Sequence, residues 1–453
     1  MSRGGHRAPR IGGVADATPT SSARRLRAVA RHLSCAAGSS SPEQQRLAVL
    51  PKQRWKPAVQ ALVPGGDGPG ERHNVFNVLA NHPTFFAAWR PFAAFFGNTD
   101  ALTEGGYTRP LQLAIARTGW LLRCEYVWRS YITHGVREGG NFTDADISAL
   151  QAGPADPHWA AGQPLDRAAI QAADDLLNDG CVSDTTWEQL EAHGLSELEQ
   201  RMDLVAGVGA YALNSMLCSS LGVPCDDADL AVPSDFAEQH SSRAQFSAVP
   251  PSVPRPSAPR IAPRTDREFP PNNLNIFRTL SRHPRFQKAW SSLGGHVLSA
   301  RSESGTQTLS ERVRELVILR TGWLLNAAYE WHQHVRIAQE WGLVDADFRA
   351  LEVGPSSAHW SEEERAALRA VDELRGVGCV SDATWAELVR VGFTVEQRVD
   401  IIAAVGQYTL VSFMLNSFGI QLEDHFEVAG MYGKRYVGSD GRWAPLSESD
   451  ATS

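Results

Sequence analysis

LSERVRELVILRTGWLLNAAYEWHQHVRIAQEWG, residues 309–342, is the stretch from which the fold is read. Val313, Leu316, Val317, Ile318 and Leu319 wrap most of the way around a helical cylinder, which predicts a largely buried helix over 312–325. Ser310 is placed to cap its start. Asn326 interrupts the pattern and is expected to cap a second helix over 327–341, ended by Gly342. Glu315, Tyr329, Glu330, Trp331, His332 and His334 fall within twenty residues of this pair.

A worn copy lies upstream, YTRPLQLAIARTGWLLRCEYVWRSYITHG over 107–135. Both copies hold RTGWLL, followed by Tyr and Trp two apart: Tyr126 and Trp128, then Tyr329 and Trp331. The correspondence extends outward. NVFNVLANHPTFFAAW ends at Trp89, and NIFRTLSRHPRFQKAW ends 201 residues later at Trp290. GPADPHW and GPSSAHW keep that offset, while CVSDTTWEQL from Cys181 and CVSDATWAEL from Cys379 stand 198 apart. Repeats of this length are whole domains rather than solenoid units.

The expected organisation is an N-terminal extension over 1–42, a first domain over 43–228, a Pro-rich linker over 229–271, a second domain over 272–428 and a tail over 429–453. The extension is rich in Arg, Ser and Gly and reads as disordered, a transit peptide being the alternative. A helix is expected from Ser41, with Pro42 at its first turn, through Val63. The linker, with PSVPRPSAPRIAPR, is expected to be extended and mobile, and the glycine-bearing tail irregular. Further helices are expected over 363–374 and 397–418. The fold class is therefore all-α, two tandem homologous helical domains forming a pseudo-dimer about an approximate twofold axis. Each RTGWLL helix is expected to pack against the other half.

Composition bounds the partners. With 43% hydrophobic and 21% charged residues the chain has the balance of a globular protein. A net charge of −8 gives no general attraction to nucleic acid or anionic membrane. No uninterrupted apolar run approaches membrane-spanning length, so no membrane partner is expected. The six cysteines are scattered and none forms CxxC, which speaks against a redox dithiol or thiolate zinc site and fits the cytoplasm.

Glu330 and His334 are spaced i, i+4 and share a helix face. A carboxylate beside an imidazole raises its pKa and orients the ring for proton transfer. Glu315 joins them if the two helices pack together. The competing reading is a surface ion pair, worth little. The apolar neighbours Leu316, Val317, Trp323, Leu324 and Leu325 favour burial instead.

Glu315, eleven intervening residues, then AAYEWHQH from Ala327 to His334 resembles the carboxymuconolactone decarboxylase and alkylhydroperoxidase-D-like family. The resemblance covers both repeats and implies an all-helical, alkylhydroperoxidase-D-like fold that assembles into oligomers, with the active site at this helix pair. The peroxidase branch places cysteines where this chain has Ala327 and Glu330, so its thiol chemistry is absent from the second repeat. What remains is similar to the decarboxylase branch, for which the family implies acid–base chemistry without a cofactor. HPRFQKAW followed by GGHVL also resembles that branch and brings in His296.

The first repeat departs from the pattern at each position: Gln112 for Glu315, Val127 for Glu330, Tyr131 for His334 and Phe95 for His296. Cys124 alone falls on a family cysteine position, and reads as a small buried hydrophobe. A metal site of Glu330, His334 and His296 is the lesser alternative to no cofactor and no metal. Tyr211 and Tyr408, Asp174 and Asp372, and Asp203 and Asp400 recur in both repeats, which argues for packing.

The expected function is a decarboxylase-like lyase acting on a cyclic, carboxylated small molecule. His334 delivers a proton, Glu330 orients it, and Glu315 and His296 position substrate or relay the proton, with Tyr329, Trp323 and Trp331 contacting substrate. Isomerisation or lactone opening on the same scaffold, a thiol peroxidase, and a non-catalytic scaffold are the rivals. Further homo-oligomer assembly is left open.

Overall fold

The computed structural model describes residues 46–63, 73–97, 108–137, 142–160, 163–226, 254–266, 268, 273–299, 307–423, 434–437 and 442–445. The expected N-terminal extension, residues 229–253 and most of the tail lie outside these. A short helix α1 (Pro57–Gln60) is followed by two series of eight in the same order. The first is α2 (Asn74–Leu79), α3 (Pro83–Gly97), α4 (Thr108–Leu121), α5 (Glu125–Arg137), α6 (Asp144–Ala152), α7 (Pro164–Asp179), α8 (Asp184–His193) and α9 (Leu198–Leu221). The second is α10 (Asn275–Leu280), α11 (Pro284–Leu298), α12 (Glu311–Leu324), α13 (Ala328–Glu340), α14 (Asp345–Val353), α15 (Glu362–Val377), α16 (Asp382–Arg390) and α17 (Val395–Phe418). Among the described residues the chain is all-α apart from one hairpin in the tail, where irregular structure was expected: Lys434–Val437 paired antiparallel with Arg442–Pro445.

The RTGWLL motif divides its work residue by residue. Arg320 forks onto Asp372 of α15 at 2.8 and 2.9 Å and donates to the Leu351 carbonyl of α14, so one side chain ties three helices. Arg117 repeats this with Asp174 and Leu150. Such buried guanidinium–carboxylate forks are directional as well as strong. Gly322 leaves room for Glu330: a Cβ there would sit 3.2 Å from Glu330 Cγ. Trp323 and Trp120 fill satellite cores against Trp331 and Trp128.

Two corrections concern helix ends. Asn326 does not cap α13. It adopts φ 50°, and Ala327 occupies the cap position without a side-chain bond. Arg123 holds the same left-handed turn at φ 56° in the first series. The helix expected to run to Val63 is also absent between 46 and 63, beyond a 3-10 turn and α1. Lys56, preceding Pro57, is forced to ψ 145°, and Pro51 is likewise extended.

The halves meet chiefly through α9 against α17 and α3 against α11. Gly209 faces Leu410 and Gly406 faces Leu213 so closely that a Cβ at either would come within 3 Å of the opposing leucine. Small residues are therefore what let these helix backbones approach. The RTGWLL helices pack within their own halves, against α9 or α17, rather than against the other half as expected. The leucines that follow them do reach across, with Leu122 under Gly378 and Leu325 under Gly180.

Over 254–264 the linker is docked against both halves. Ile261 is 1% exposed in the main core, and Arg255 is buried, donating to the Asp179 and Leu325 carbonyls. Arg260 bridges the Ser417 and Val182 carbonyls and Asp184. Arg46 does the same for Ser220, Val380 and Asp382. The proline pattern foretold an extended backbone. Docking came from the interleaved Arg and Ile side chains, which the composition argument ignored.

By length and composition α9 and α17 are apolar enough to cross a membrane, but both are mostly buried inside the molecule, where they pack against each other.

Candidate active site

Glu315, Glu330 and His334 converge. His334 Nδ1 lies 2.6 Å from Glu315 Oε2, and Nε2 lies 2.9 Å from Glu330 Oε1. All three are buried, Glu315 completely. The i, i+4 spacing on α13 sets the second contact, and packing of α12 against α13 across the Asn326 turn sets the first.

Two further residues complete the cluster, and sequence reasoning missed both. Arg314 donates through Nε and Nη2 to Glu315 Oε1, at 3.0 and 2.8 Å. Its Nη1 donates to the carbonyls of Leu298 and Ser299 at the end of α11. The Tyr408 hydroxyl of α17 lies 3.0 Å from His334 Nε2. Recurrence of Tyr211 in the first half argues for packing at Tyr408, but there the ring of Tyr211 packs 4.6 Å from Tyr131, the residue that replaces His334. The partner is retained while the group it serves has changed. Arg314 corresponds to Leu111, an asymmetry the same alignment could have exposed.

Charge balances within the cluster: two carboxylates, one guanidinium and one imidazolium. Burial alone would lower the His334 pKa, but Glu315 and Glu330 outweigh it and push the imidazole up to about 10. Burial likewise works against the Glu315 carboxylate, and His334 with Arg314 more than reverses this, holding it below its ordinary value. The Tyr408 phenol is pushed well up by burial and then by the two carboxylates. The direction of this shift favours the imidazolium form at neutral pH.

Nε2 lies 3.0 Å from Tyr408 Oη and 2.9 Å from Glu330 Oε1, and Glu330 Oε1 receives no aligned hydrogen bond. A buried carboxylate oxygen without an aligned donor is costly in a finished core and calls for an explanation. Here it leaves an acceptor beside an imidazolium, the pairing needed to take one proton and give another.

The remaining expected residues lie elsewhere. His296 Nε2 sits 2.8 Å from Asp400 Oδ1, with no described contact to the trio, so neither substrate positioning nor a metal site shared with Glu330 and His334 is supported for it. The α11 helix turns it toward α3 and α17 instead. Tyr329 donates to Glu423 Oε1 at 2.6 Å, as Tyr126 does to Asp226 at 2.9 Å, and Glu423 also accepts from the Asn275 N–H, so the segment after α17 is tied to the start of α10. Trp323 and Trp331 are core, with ring centroids 5.4 Å apart above Phe348. Recurrence of these three in the first half fits structural work. In that half Gln112 and Val127 are buried, as is Cys124, a free thiol in the main core as expected.

Residues 284–373 match the Carboxymuconolactone decarboxylase family. The match begins at α11 and runs through most of α15, so it takes in His296, Glu315, Glu330 and His334 but neither Asp400 nor Tyr408. No curated protein and no solved structure matches the chain. The family match supports a carboxymuconolactone decarboxylase-like or related function in general terms.

Proposed function

We propose that the chain is a lyase of the decarboxylase type, working by proton transfer at His334 on a cyclic, carboxylated small molecule such as an unsaturated lactone. The observation that carries this is the buried imidazolium between Glu315 and Glu330, with one Glu330 oxygen left without an aligned donor. In such a reaction the bond from ring carbon to carboxylate breaks and carbon dioxide leaves. The electron pair stays on the ring, delocalised onto the lactone carbonyl. His334 then gives its Nε2 proton to carbon, with Tyr408 as the group through which that proton is oriented or passed. The neutral imidazole recovers a proton from solvent, and Glu315 with Arg314 holds the ring in place throughout.

A donor with a pKa near 10 is protonated at neutral pH and suited to delivering a proton rather than abstracting one. That supports protonation of an anion formed by loss of carbon dioxide over a reaction begun by His334 as base. Burial of Glu330 and His334 counts against the scaffold reading, and the absence of CxxC against thiol peroxidase chemistry. The two halves act as an intramolecular pseudo-dimer, the first supplying structure, and the free thiols at the described cysteines suit a cytoplasmic setting. The test is a panel of carboxylated unsaturated lactones in deuterated water. Carbon dioxide release with one deuterium gained per turnover, lost in His334→Ala, supports the reading. Conversion without carbon dioxide release would move it to an isomerase or lactone-opening enzyme.

A further inference from the structure

The second polar cluster lies where the halves meet. Asp400 of α17 accepts from two imidazoles at the same oxygen: His296 Nε2 at 2.8 Å and His82 Nε2 at 3.1 Å from Oδ1. The rings are 5.7 Å apart and inclined at 73°. All three side chains are at most 2% exposed, and their ligand atoms lie within 4.8 Å of one another. The other carboxylate oxygen, Oδ2, is held by the Thr308 hydroxyl at 2.6 Å and its backbone N–H at 3.1 Å.

The opposite half contains the same tether without the cluster. His283 Nε2 lies 2.9 Å from Asp203 Oδ1, and the ring packed against His283 is Phe95, which stands where His296 stands in the other half. One imidazole and one carboxylate are therefore sufficient to join the halves. The second imidazole is an addition the fold does not require. A second difference accompanies it. Thr84 follows His82 by two residues and its hydroxyl lies 3.2 Å from His82 Nδ1, whereas the residue two after His283 is Arg285.

We propose that His82, His296 and Asp400 bind one divalent transition-metal ion of the zinc class. Two imidazoles and one carboxylate are a common donor set for such ions. With metal–ligand bonds of about 2.0–2.2 Å in a tetrahedral arrangement, neighbouring donor atoms stand roughly 3.3–3.5 Å apart. The observed separations of 2.8 and 3.1 Å need open by roughly 0.2–0.7 Å. A metal-bound imidazole carries its proton on the other nitrogen and needs an acceptor there. The Thr84 hydroxyl supplies one for His82, at the expense of the weak cap that His82 Nδ1 now accepts from Phe85 N–H at 3.3 Å. The Thr308 contacts hold Oδ2 and leave Oδ1 as the ligand atom. The site is separate from the His334 cluster and does not depend on its function.

The full chain is stripped of metal, then titrated with zinc by calorimetry and with cobalt by visible absorption, with bound metal measured per chain. The expected result is one equivalent of either ion and a d–d spectrum of low-coordinate cobalt. His296→Phe, which copies Phe95, is expected to abolish binding, and Thr84→Val to weaken it about 10–100-fold with all three ligands present. His334→Ala is expected to retain the metal. Less than a tenth of an equivalent bound to the wild-type chain overturns the proposal, as does binding unchanged in His296→Phe or lost in His334→Ala. Should His296→Phe fail to fold, the wild-type stoichiometry together with Thr84→Val still decides.

Discussion

His334 Nδ1 sits 2.6 Å from Glu315 Oε2, a contact between two helices in which neither partner has water to fall back on. Breaking it leaves a buried charge, while the Gln112 and Tyr131 frame of the first half dispenses with it. His334→Ala is therefore expected to cut turnover by roughly two to four orders of magnitude, as for a lost general acid, with the helical circular dichroism spectrum preserved. Tyr131→Phe should change turnover far less. Equal damage from both would place the working site in the wrong half.

The same contact makes stability pH-dependent. The His334 pKa is raised from 6.5 to about 10 on folding, so its contribution is complete below about pH 6.5 and disappears as pH rises toward 10. The Glu315 pKa is lowered from 4.5, so its contribution is complete above about pH 4.5 and is lost on acidification. Denaturant unfolding should show the difference between wild type and His334→Gln largest between about pH 5 and 6.5 and shrinking toward pH 10. A difference that grows with rising pH would contradict the assignment.

Docking of the linker is measurable. Ile261→Asp places a carboxylate in the main core without a partner and should destabilise the chain by about 2–4 kcal/mol in urea. Limited proteolysis of the wild-type chain should spare 254–264. Early cleavage there would mean that the segment does not stay docked.

Arg375 offers a gain in stability. Its guanidinium is largely buried, burial lowers its pKa to about 10, and no carboxylate among the described residues pairs with it. The corresponding residue in α7 is Leu177. Arg375→Leu is expected to raise stability by about 1–3 kcal/mol, measured by chemical denaturation. A loss of similar size would show that its contact with Thr409 and its position over Phe413 outweigh desolvation.

The helices and the trio were legible in the sequence because they are local facts. Apolar periodicity marks α12, and four-residue spacing brings Glu330 to His334. Tyr408 is 74 residues from His334, and Asp400 is 318 from His82, so only packing brings them together. Recurrence misled in a specific way. It assigned Tyr408 and Asp400 to packing although their partners differ between halves, while Tyr329, Trp323 and Trp331, which recur as well, were expected to contact substrate and instead hold Glu423 or fill the core. Comparing what each recurrent residue faces, rather than whether it recurs, separates the two cases.

The protonation state of His334 is the most direct test of the proton-donor reading. Nitrogen NMR on ¹⁵N-histidine-labelled protein, with His334→Gln to assign the signal, reads both ring nitrogens across pH 5 to 10. An imidazolium persisting through pH 8 and titrating only near 10 is the expected result. A ring that becomes neutral near pH 6.5 would contradict it, because His334 would then have no proton to deliver at neutral pH.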